Sequence, residues 1–302
     1  MGIEETNLKE FTVADPIATA FMFCEKYGIK NRMIHKDGTI DVTEGDVDIR
    51  NFNGEELPVK FGKVKDNFYC GCTVLLHEDT GAKHDEIVGM NLTTLKGMPN
   101  SVGGDFDCSC SKITSLEGAP QTIGGNFNCS RTSITSLKGA PQVVGGFGCA
   151  ELNLESFEGA PQTITTDGFS CANANIPSLV GLPKKIKGPF SILDVSLASL
   201  KGCPEEVDGD VYICGTNITS LTGLPKVING QLTILRNPIT NLCILDLYNI
   251  KGLSGIRYDD GAIDKIVNRH LPSGPVSVLL AQDELIDAGF GLIARFSHPS
   301  TV

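Results

Sequence analysis

Cysteine is the residue type with the most chemistry in this sequence. Eleven cysteines occur among 302 residues, and the closest pairs, Cys70/Cys72 and Cys108/Cys110, are each separated by one residue. Thiols bind soft metal ions, form disulfides or act as nucleophiles. Structural zinc sites, however, usually space their paired cysteines further apart and need a second converging pair. These pairs alone therefore do not predict a zinc site.

Two clusters of possible metal ligands are also incomplete. One combines histidines with carboxylates: His77, Glu78, Asp79, His84, Asp85 and Glu86. Nothing in the sequence fixes their mutual geometry, so an exposed loop or a shortened coil is the favoured interpretation. The other runs from Glu44 to Asp48 and lacks the ligand order of an EF-hand loop, which favours a solvated turn. The sequence predicts no metal site and no cofactor.

The patterns that would indicate catalysis are incomplete as well. Paired glycines such as Gly103-Gly104 lack the following helix start and lysine of a phosphate loop. Cys243 and Asp246 lie near the end of the array, but the remaining tail is too short for a catalytic domain. No nucleophile, base and orienting acid stand in a recognisable arrangement. We therefore expect a protein that is not an enzyme.

All these residues belong to, or flank, copies of a single unit. The unit at positions 116–136 reads LEGAPQTIGGNFNCSRTSITS, and its copies recur with a period of about 21 residues. Its proline recurs at Pro99, Pro120, Pro141, Pro161, Pro183, Pro204 and Pro225. Short tandem repeats of this kind indicate a solenoid, in which stacked coils share one continuous core.

Two apolar columns define the core of the predicted stack. The first column is Phe106, Phe127, Phe147, Phe169, Phe190, Val211 and Leu232. The second, two residues later, is Cys108, Cys129, Cys149, Cys171, Ile192, Ile213 and Ile234. Residues two apart in a strand share a face, so both columns point inward. Because isoleucine replaces cysteine in the second column, these cysteines are interpreted as small buried hydrophobic residues.

The chain divides into three predicted segments. Residues 1–46 form an N-terminal helical cap, with a helix that begins at Asp15-Pro16 and ends at Gly28. Residues 47–252 form the solenoid, with regular repeats at 95–241, and residues 253–302 form a C-terminal helical cap with two helices. The residues expected to cover the open N-terminal end are Ile17, Phe21, Phe23 and Cys24. A last compressed strand is expected through Leu245 and Leu247.

Charge and hydropathy exclude two classes of partner. The formal net charge is −11, which argues against direct nucleic-acid binding because that affinity depends on lysine and arginine. No apolar run is long enough to span a bilayer, and the acidic start does not resemble a secretory signal. A soluble protein that does not bind membranes is expected.

The predicted recognition surface is the concave face of the parallel sheet, where outward strand residues meet solvent. Its candidate partner-binding residues are Asp105, Asp107, Asn126, Asn128, Ser170, Ser191, Leu193, Asp210, Tyr212, Thr233 and Leu235. The face is acidic at its start, while Tyr212 flanked by Leu193 and Leu235 resembles a binding hot spot. An ordinary solvated strand face is an equally open interpretation.

The last regular unit, from Leu232 to Ile239, resembles a leucine-rich repeat, because LTILRNPI follows the pattern L-x-L-x-x-N-x-L. Serine, threonine, leucine, alanine or valine replaces the asparagine in the other coils. The combination of DGTIDV, GDVD, LPVKFGKV, the SLxGAPQxxGGxFxC units and DELIDAG resembles uncharacterised leucine-rich-repeat-like proteins of tailed, T4-like bacteriophages. The resemblance covers nearly the whole chain, and it implies a solenoid of viral origin acting in an infected bacterium. It brings no active site.

These observations lead to one functional hypothesis and two alternatives. The hypothesis is a non-catalytic, phage-encoded module in the host cytoplasm. It binds a bacterial host protein with a basic patch, such as a defence protein, through the concave face. The first alternative is a virion or tail component that recognises a surface. The second is an acidic mimic of nucleic acid that occupies a DNA-binding host protein.

Overall fold

The chain forms two compact units, Met1–Cys149 and Ala150–Val302. The computed structural model describes residues 15–75, 86–240, 242, 244–259, 261–271 and 275–294. Each unit stacks five coils of parallel β-structure in these ranges. The predicted mainly β solenoid of about ten coils with a period near 21 residues is therefore confirmed.

The first unit contains one helix, the coil strands and a separate hairpin. Its helix is α1 (Pro16–Lys26). Its coil strands are β1 (Arg32–Ile34), β2 (Thr39–Val42), β3 (Val47–Asp48), β4 (Lys60–Val64), β5 (Phe68–Tyr69), β8 (Ser101–Val102), β9 (Phe106–Asp107), β10 (Thr122–Ile123), β11 (Asn126–Asn128) and β12 (Val143–Gly148). The hairpin strands are β6 (Thr73–Leu75) and β7 (Glu86–Val88). Apart from β1, which runs antiparallel to β2, the coil strands pair in parallel.

The second unit has strands followed by helices. Its strands are β13 (Thr163–Ala172), β14 (Lys185–Lys187), β15 (Phe190–Leu193), β16 (Glu206–Asp208), β17 (Val211–Cys214), β18 (Val227–Ile228), β19 (Gln231–Leu235) and β20 (Gly255–Tyr258). Its helices are α2 (Ile244–Tyr248), α3 (Gly261–His270) and α4 (Pro275–Asp287). The strand pairs among the described residues of this unit are parallel, so each coil repeats the path of the one before it.

The predicted core register is confirmed in both units. Phe127 lies opposite Phe106 and Phe147 in the first unit. In the second, Val211 lies opposite Phe190 and Leu232. All seven residues of the second column, from Cys108 to Ile234, are fully buried. The cysteines thus occupy the same environment as the isoleucines, as their interpretation as hydrophobic residues requires.

Each coil also contains a first strand that the sequence interpretation did not identify. Its buried column is Val102, Ile123, Val144, Ile164, Ile186, Val207 and Ile228. The paired glycines lie at the bend between the two strands. A Cβ at Gly124 would lie 2.0 Å from the carbonyl oxygen of Gly103 in the preceding coil. Close approach of neighbouring backbones therefore requires glycine there.

The glycines two residues before the prolines adopt positive φ angles. Gly118 has a φ of +91°, and the Ala119 amide donates to the Leu116 carbonyl at 3.0 Å. A turn with this hydrogen bond and a positive φ at its third residue favours glycine. The Ser115 hydroxyl also accepts from the Glu117 amide at 3.1 Å. The SLxG sequence is therefore the signature of this turn.

The predicted N-terminal helix is present, but two of its apolar residues point elsewhere. The Asp15 carboxylate accepts from the Ile17 amide at 2.9 Å, which is the expected cap. Phe23 and Cys24 are fully buried, and the Phe23 ring lies 6.2 Å from that of Phe61. In contrast, Ile17 and Phe21 are 43% and 53% exposed. The prediction that they cover the core is wrong, because only one stripe of this short helix faces the first coil.

The break in the repeat is an insertion that leaves the stack intact. β6 and β7 pair with each other as an antiparallel hairpin, while β5 pairs directly with β9. Coil-to-coil contacts here join residues 38 apart. Glu86 begins β7, and the other members of the histidine and carboxylate cluster, at positions 77–85, lie outside the described residues. The insertion therefore disturbs the period of the sequence but not the register of the core.

The C-terminal end of the stack differs from the prediction. Residues 244–248 form α2, so the expected strand through Leu245 and Leu247 is wrong. The last strand is β20, in which Ile256 lies opposite Leu232. Its outer edge is covered by the Asn268 side chain on α3. This side chain accepts from the Ile256 amide at 2.7 Å and donates to the Ile256 carbonyl at 2.8 Å. One side-chain amide thus satisfies the backbone groups that another coil would pair with.

Candidate functional site

The candidate site is the outward side of the second strand in each coil, which we call the strand face. In the first unit its central column is Asp48, Tyr69, Asp107, Asn128 and Gly148. In the second unit the column is Ser170, Ser191, Tyr212, Thr233 and Arg257. The strand register brings the predicted residues into these columns and into the columns beside them.

Asp105 and Asn126 occupy the bend before the strand face, where they help to join the coils. The Asp105 carboxylate accepts from the Asn126 amide of the next coil at 2.7 Å. The Asn67 side chain accepts from the Asp105 amide at the same distance. Asp46 begins this ladder by accepting from the Asn67 amide at 3.1 Å. The bend residues therefore have a structural role that the sequence interpretation did not assign to them.

Asp107 and Asn128 lie one strand position further, directly on the strand face. Each side chain accepts a hydrogen bond from the backbone amide two residues later, at 2.8 Å for Asp107 and 3.1 Å for Asn128. Both side chains are half-buried. Because asparagine can replace aspartate in this contact, the charge of Asp107 is not needed for the local turn.

Tyr69 is a strand-face residue that sequence reasoning missed. It lies between Asp48 and Asp107 in register, with the Arg50 guanidinium 5.3 Å from its ring centroid. Burial, followed by the charges of nearby carboxylates, raises the pKa of its phenol. Its segment NFYCGC aligns with DFDCSC, but our candidate residues come only from the regular repeats at 95–241.

The carboxylates around Tyr69 give the first unit an acidic strand face. Asp48 forms a bidentate ion pair with Arg50, with nitrogen to oxygen distances of 2.9 and 2.5 Å. This hydrogen bonding lowers the pKa of the Asp48 carboxyl. The hydrogen bonds to Asp48, followed by the charges of Asp48 and Asp107, raise the pKa of the Arg50 guanidinium. Asp105 and Asp107 thus add negative charge beside a pair that is already neutralised.

The second unit presents hydroxyl groups and an apolar strip. Tyr212 lies between Ser191 and Thr233, and its hydroxyl donates to the Asp210 carboxylate at 3.1 Å. This hydrogen bond raises the pKa of Tyr212. Ser170 is exposed, whereas Thr233 is buried. The hydroxyl-bearing residues of this column therefore differ in their access to solvent.

The apolar strip runs beside Tyr212 and contains a residue that was not predicted. Leu193, Cys214 and Leu235 lie opposite one another in adjacent strands. The two leucines are half-buried, and Cys214 between them is buried. A tyrosine next to a continuous apolar strip has the composition of a protein-binding hot spot.

Asp210, like Asp105, lies beside the strand face and also bonds the next coil. Besides accepting from Tyr212, it accepts from the Gln231 amide of the next coil at 2.8 Å. A Cβ at Gly230 would lie 2.5 Å from this carboxylate oxygen. Because Asp210 helps to stack the coils, replacing it by a residue without an oxygen acceptor would not test partner binding alone.

An ion pair borders the strip at the end of the strands. Arg236 reaches Asp194, two coils away, with a nitrogen to oxygen distance of 3.0 Å. Between them lies Gly215, where a Cβ would be 2.2 Å from the Asp194 carboxylate. The glycine thus leaves room for the pair to cross its coil. Both charged side chains are largely exposed, so the pair adds little stability.

The sequence hypotheses on metals and catalysis gain no supporting geometry. Within the described ranges, no three histidine, cysteine, aspartate or glutamate side chains are placed to hold a metal ion. Asp246 is exposed on α2, and Cys243 lies outside those ranges. Burial raises the pKa of Cys70 and Cys108 well above the usual thiol value, which disfavours the thiolate needed for catalysis or metal binding.

Comparison with known proteins adds no relatives. No protein-family model, curated protein or solved structure matches the chain. Among the helices of the described ranges, none has the length and apolar character of a membrane span. Function must therefore be inferred from the residues themselves.

Proposed function

We propose that this protein is a non-catalytic binding module whose strand faces contact a protein partner. The observation that carries the proposal is Tyr212 beside the strip Leu193, Cys214 and Leu235. Large side chains are held there on rigid strands, which reduces the entropy lost when a partner binds. Aromatic and aliphatic anchors of this kind supply most of the affinity of protein interfaces.

The acidic strand face of the first unit indicates the charge of the partner. Asp105 and Asp107 lie near Tyr69, whereas the nearby Arg50 is already paired with Asp48. A partner with a basic patch would be steered towards this surface, and salt would weaken the association. The resemblance to phage proteins directs the search to bacterial proteins, including defence proteins, in an infected cell.

Capture of partners from bacterial lysate tests the proposal when face variants are matched with controls. Tyr212→Ala/Leu235→Ala removes the anchors of the second unit, and Val180→Ala removes an apolar group that is 37% exposed outside the strand face. Asp105→Asn/Asp107→Asn removes two charges while keeping both oxygen acceptors. Its control is Glu55→Gln/Glu117→Gln, which changes two exposed carboxylates of the same unit.

The proposal requires a protein that the wild type and both controls retain. We expect the anchor variant to bind it at least about tenfold more weakly, and the charge variant to lose affinity mainly at low salt. Equal retention by all five folded proteins would refute the proposal. Recovery of virion proteins alone would instead support a structural role.

A mimic of nucleic acid is the second candidate, favoured by the grouping of carboxylates around Tyr69. Besides burial, which has the largest effect, the charges of Asp46, Asp105 and Asp107 raise the pKa of the Tyr69 phenol. Such a mimic would compete with DNA for a basic surface. Competition by duplex DNA with the captured partner distinguishes this candidate from an interaction based on the apolar strip. DNA would displace a mimic but would leave binding through Tyr212 intact.

A further inference from the structure

Cys72 and Cys110 differ from the other paired cysteines because the fold brings them together at half-exposed positions. β5 pairs with β9 at an offset of 38 residues, with Tyr69 opposite Asp107. The same offset places Cys72 opposite Cys110. The Cys72 thiol lies 3.5 Å from the Ser109 hydroxyl, which confirms that it reaches the next coil at this level.

The spacing of neighbouring coils suits a disulfide at this position. Adjacent strands lie about 4.8 Å apart, and disulfides join Cα atoms separated by about 4.4 to 6.8 Å. The two thiols also interact with each other, and burial followed by this interaction raises the pKa of Cys110 to about 12. Cys110 has a φ of +53°, so it lies at a left-handed corner of the backbone, three residues after β9 ends.

The register-matched pair Cys70 and Cys108 provides an internal contrast. These thiols have the same offset but are both fully buried. Cys72 and Cys110 are instead half-exposed, so a dissolved disulfide can reach them. Burial, and not spacing, therefore separates a reactive pair from an inert one.

We propose that Cys72 and Cys110 form a reversible disulfide by exchange with a small-molecule disulfide such as oxidised glutathione. The Cys72 thiolate attacks one glutathione sulfur, forms a mixed disulfide and releases one glutathione thiolate. The Cys110 thiolate then attacks the Cys72 sulfur and releases the second. Two protein thiols lose two protons and two electrons, and one oxidised glutathione becomes two reduced molecules.

The disulfide would fasten the base of the inserted hairpin. Cys72 immediately precedes β6, and the Met90 amide, just after β7, donates to the Cys110 carbonyl at 3.2 Å. The crosslink would close the chain from position 72 to 110 and thereby reduce the entropy of the unfolded state. The oxidised protein would resist unfolding more than the reduced protein does.

Thiol mapping of the full-length folded protein tests the proposal. The wild type is equilibrated in buffers of reduced and oxidised glutathione, quenched with acid, alkylated and analysed by peptide mass spectrometry. We expect a Cys72–Cys110 crosslink to exceed either mixed disulfide by at least about tenfold, because the second attack is intramolecular. Reduced glutathione should reverse it, with Cys70 and Cys108 remaining reduced.

Two variants and one control make the result specific. Cys110→Ser should trap glutathione on Cys72, and Cys72→Ser should abolish the crosslink. Cys203→Ser removes a half-exposed cysteine of the other unit and should leave the crosslink unchanged. Separate mixed disulfides on Cys72 and Cys110 in the wild type, or a crosslink through Cys70 or Cys108, would overturn the proposal. The wild-type map decides the matter even if a variant fails to fold.

Discussion

The two units stack the same coil but hold it with different side chains. In the first, phenylalanine rings follow one another through the core, with centroids 6.1 Å apart for Phe106 and Phe127 and 5.6 Å for Phe127 and Phe147. In the second, the stacked rings end with Phe169 and Phe190, whose centroids are 5.5 Å apart, and Val211 and Leu232 continue the column. The backbone register is therefore the property that repeats, and several side-chain sets satisfy it.

The units also satisfy their buried backbone groups in different ways. In the first, the Ser111 hydroxyl donates to the nearby Cys108 carbonyl at 2.7 Å. In the second, buried Asn237 accepts from the Thr216 amide at 2.9 Å and donates to the Ile213 carbonyl at 2.7 Å. In the first unit the hydroxyls of Ser111 and Thr132 thus bond within their own coils, whereas Asn237 joins two coils.

The largest expected effect comes from the aromatic core. Phe127→Ala should lower the free energy of unfolding by about 3–5 kcal/mol because it leaves a cavity between two other rings. Val211→Ala, at the matching position of the second unit, removes fewer buried atoms and should cost about half as much. Chemical denaturation of both variants measures the difference. Equal losses would show that ring stacking does not distinguish these two positions.

The asparagine provides the next test. Asn237→Ala should cost about 2–4 kcal/mol, since it leaves buried backbone groups without partners. Ser111→Ala, in the same column, should cost only about 1 kcal/mol, because one hydroxyl contact is lost. Leu152 and Val195 occupy this column without any polar side-chain group, which shows that it tolerates apolar residues. Similar denaturation midpoints for the two variants would contradict the contrast between the units.

Exchanging the two residue types of the second core column should have a smaller effect. Cys171 lies opposite Ile192 where the column changes from cysteine to isoleucine. Ile192→Cys should destabilise the protein by about 1–2 kcal/mol, because less apolar surface is buried. Cys171→Ser places a polar hydroxyl there and should be worse. If serine were tolerated better than cysteine is at position 192, the hydrophobic interpretation of these thiols would fail.

The smallest expected effect is the pH dependence that Asp48 contributes in the first unit. The pKa of Asp48 is lowered by its hydrogen bonds to Arg50, so the folded state favours the charged carboxylate. Its contribution is complete above the unfolded pKa of about 3.9 and is lost as the pH falls towards the lower folded pKa. The stability difference between wild type and Asp48→Asn, below about 1 kcal/mol, should therefore shrink between pH 5 and pH 3. If this difference in stability stayed constant with pH, it would come from packing and not from the charge of Asp48.

The sequence predicts the repeating parts of this fold well because they reflect backbone register. The columns through Phe127 and Cys129 follow from alternation and period alone. Tyr69 was missed because it precedes the regular repeats from which the candidate residues come, although its local sequence matches the repeat. Sequence alone also did not show that Asp105 bonds the next coil, because that role depends on the bend between two strands.

The ends of the stack were harder to predict because nothing there repeats. Phe21 is apolar, but helix orientation decides that it faces outward and Phe23 inward. Leu245 and Leu247 have the alternation of a strand, yet this segment lies in α2. The side chain of Asn268 replaces a neighbouring strand, a contact that no periodic pattern encodes.

Affinity measured against salt tests the central claim most directly. Titration calorimetry with the purified partner would compare wild type, Asp105→Asn/Asp107→Asn and Tyr212→Ala/Leu235→Ala at low and high ionic strength. We predict that the charge variant reduces the salt dependence, whereas the anchor variant weakens binding at every salt concentration and keeps the wild-type dependence. If both variants matched the wild type in affinity and salt dependence, the strand faces would not be the binding surface.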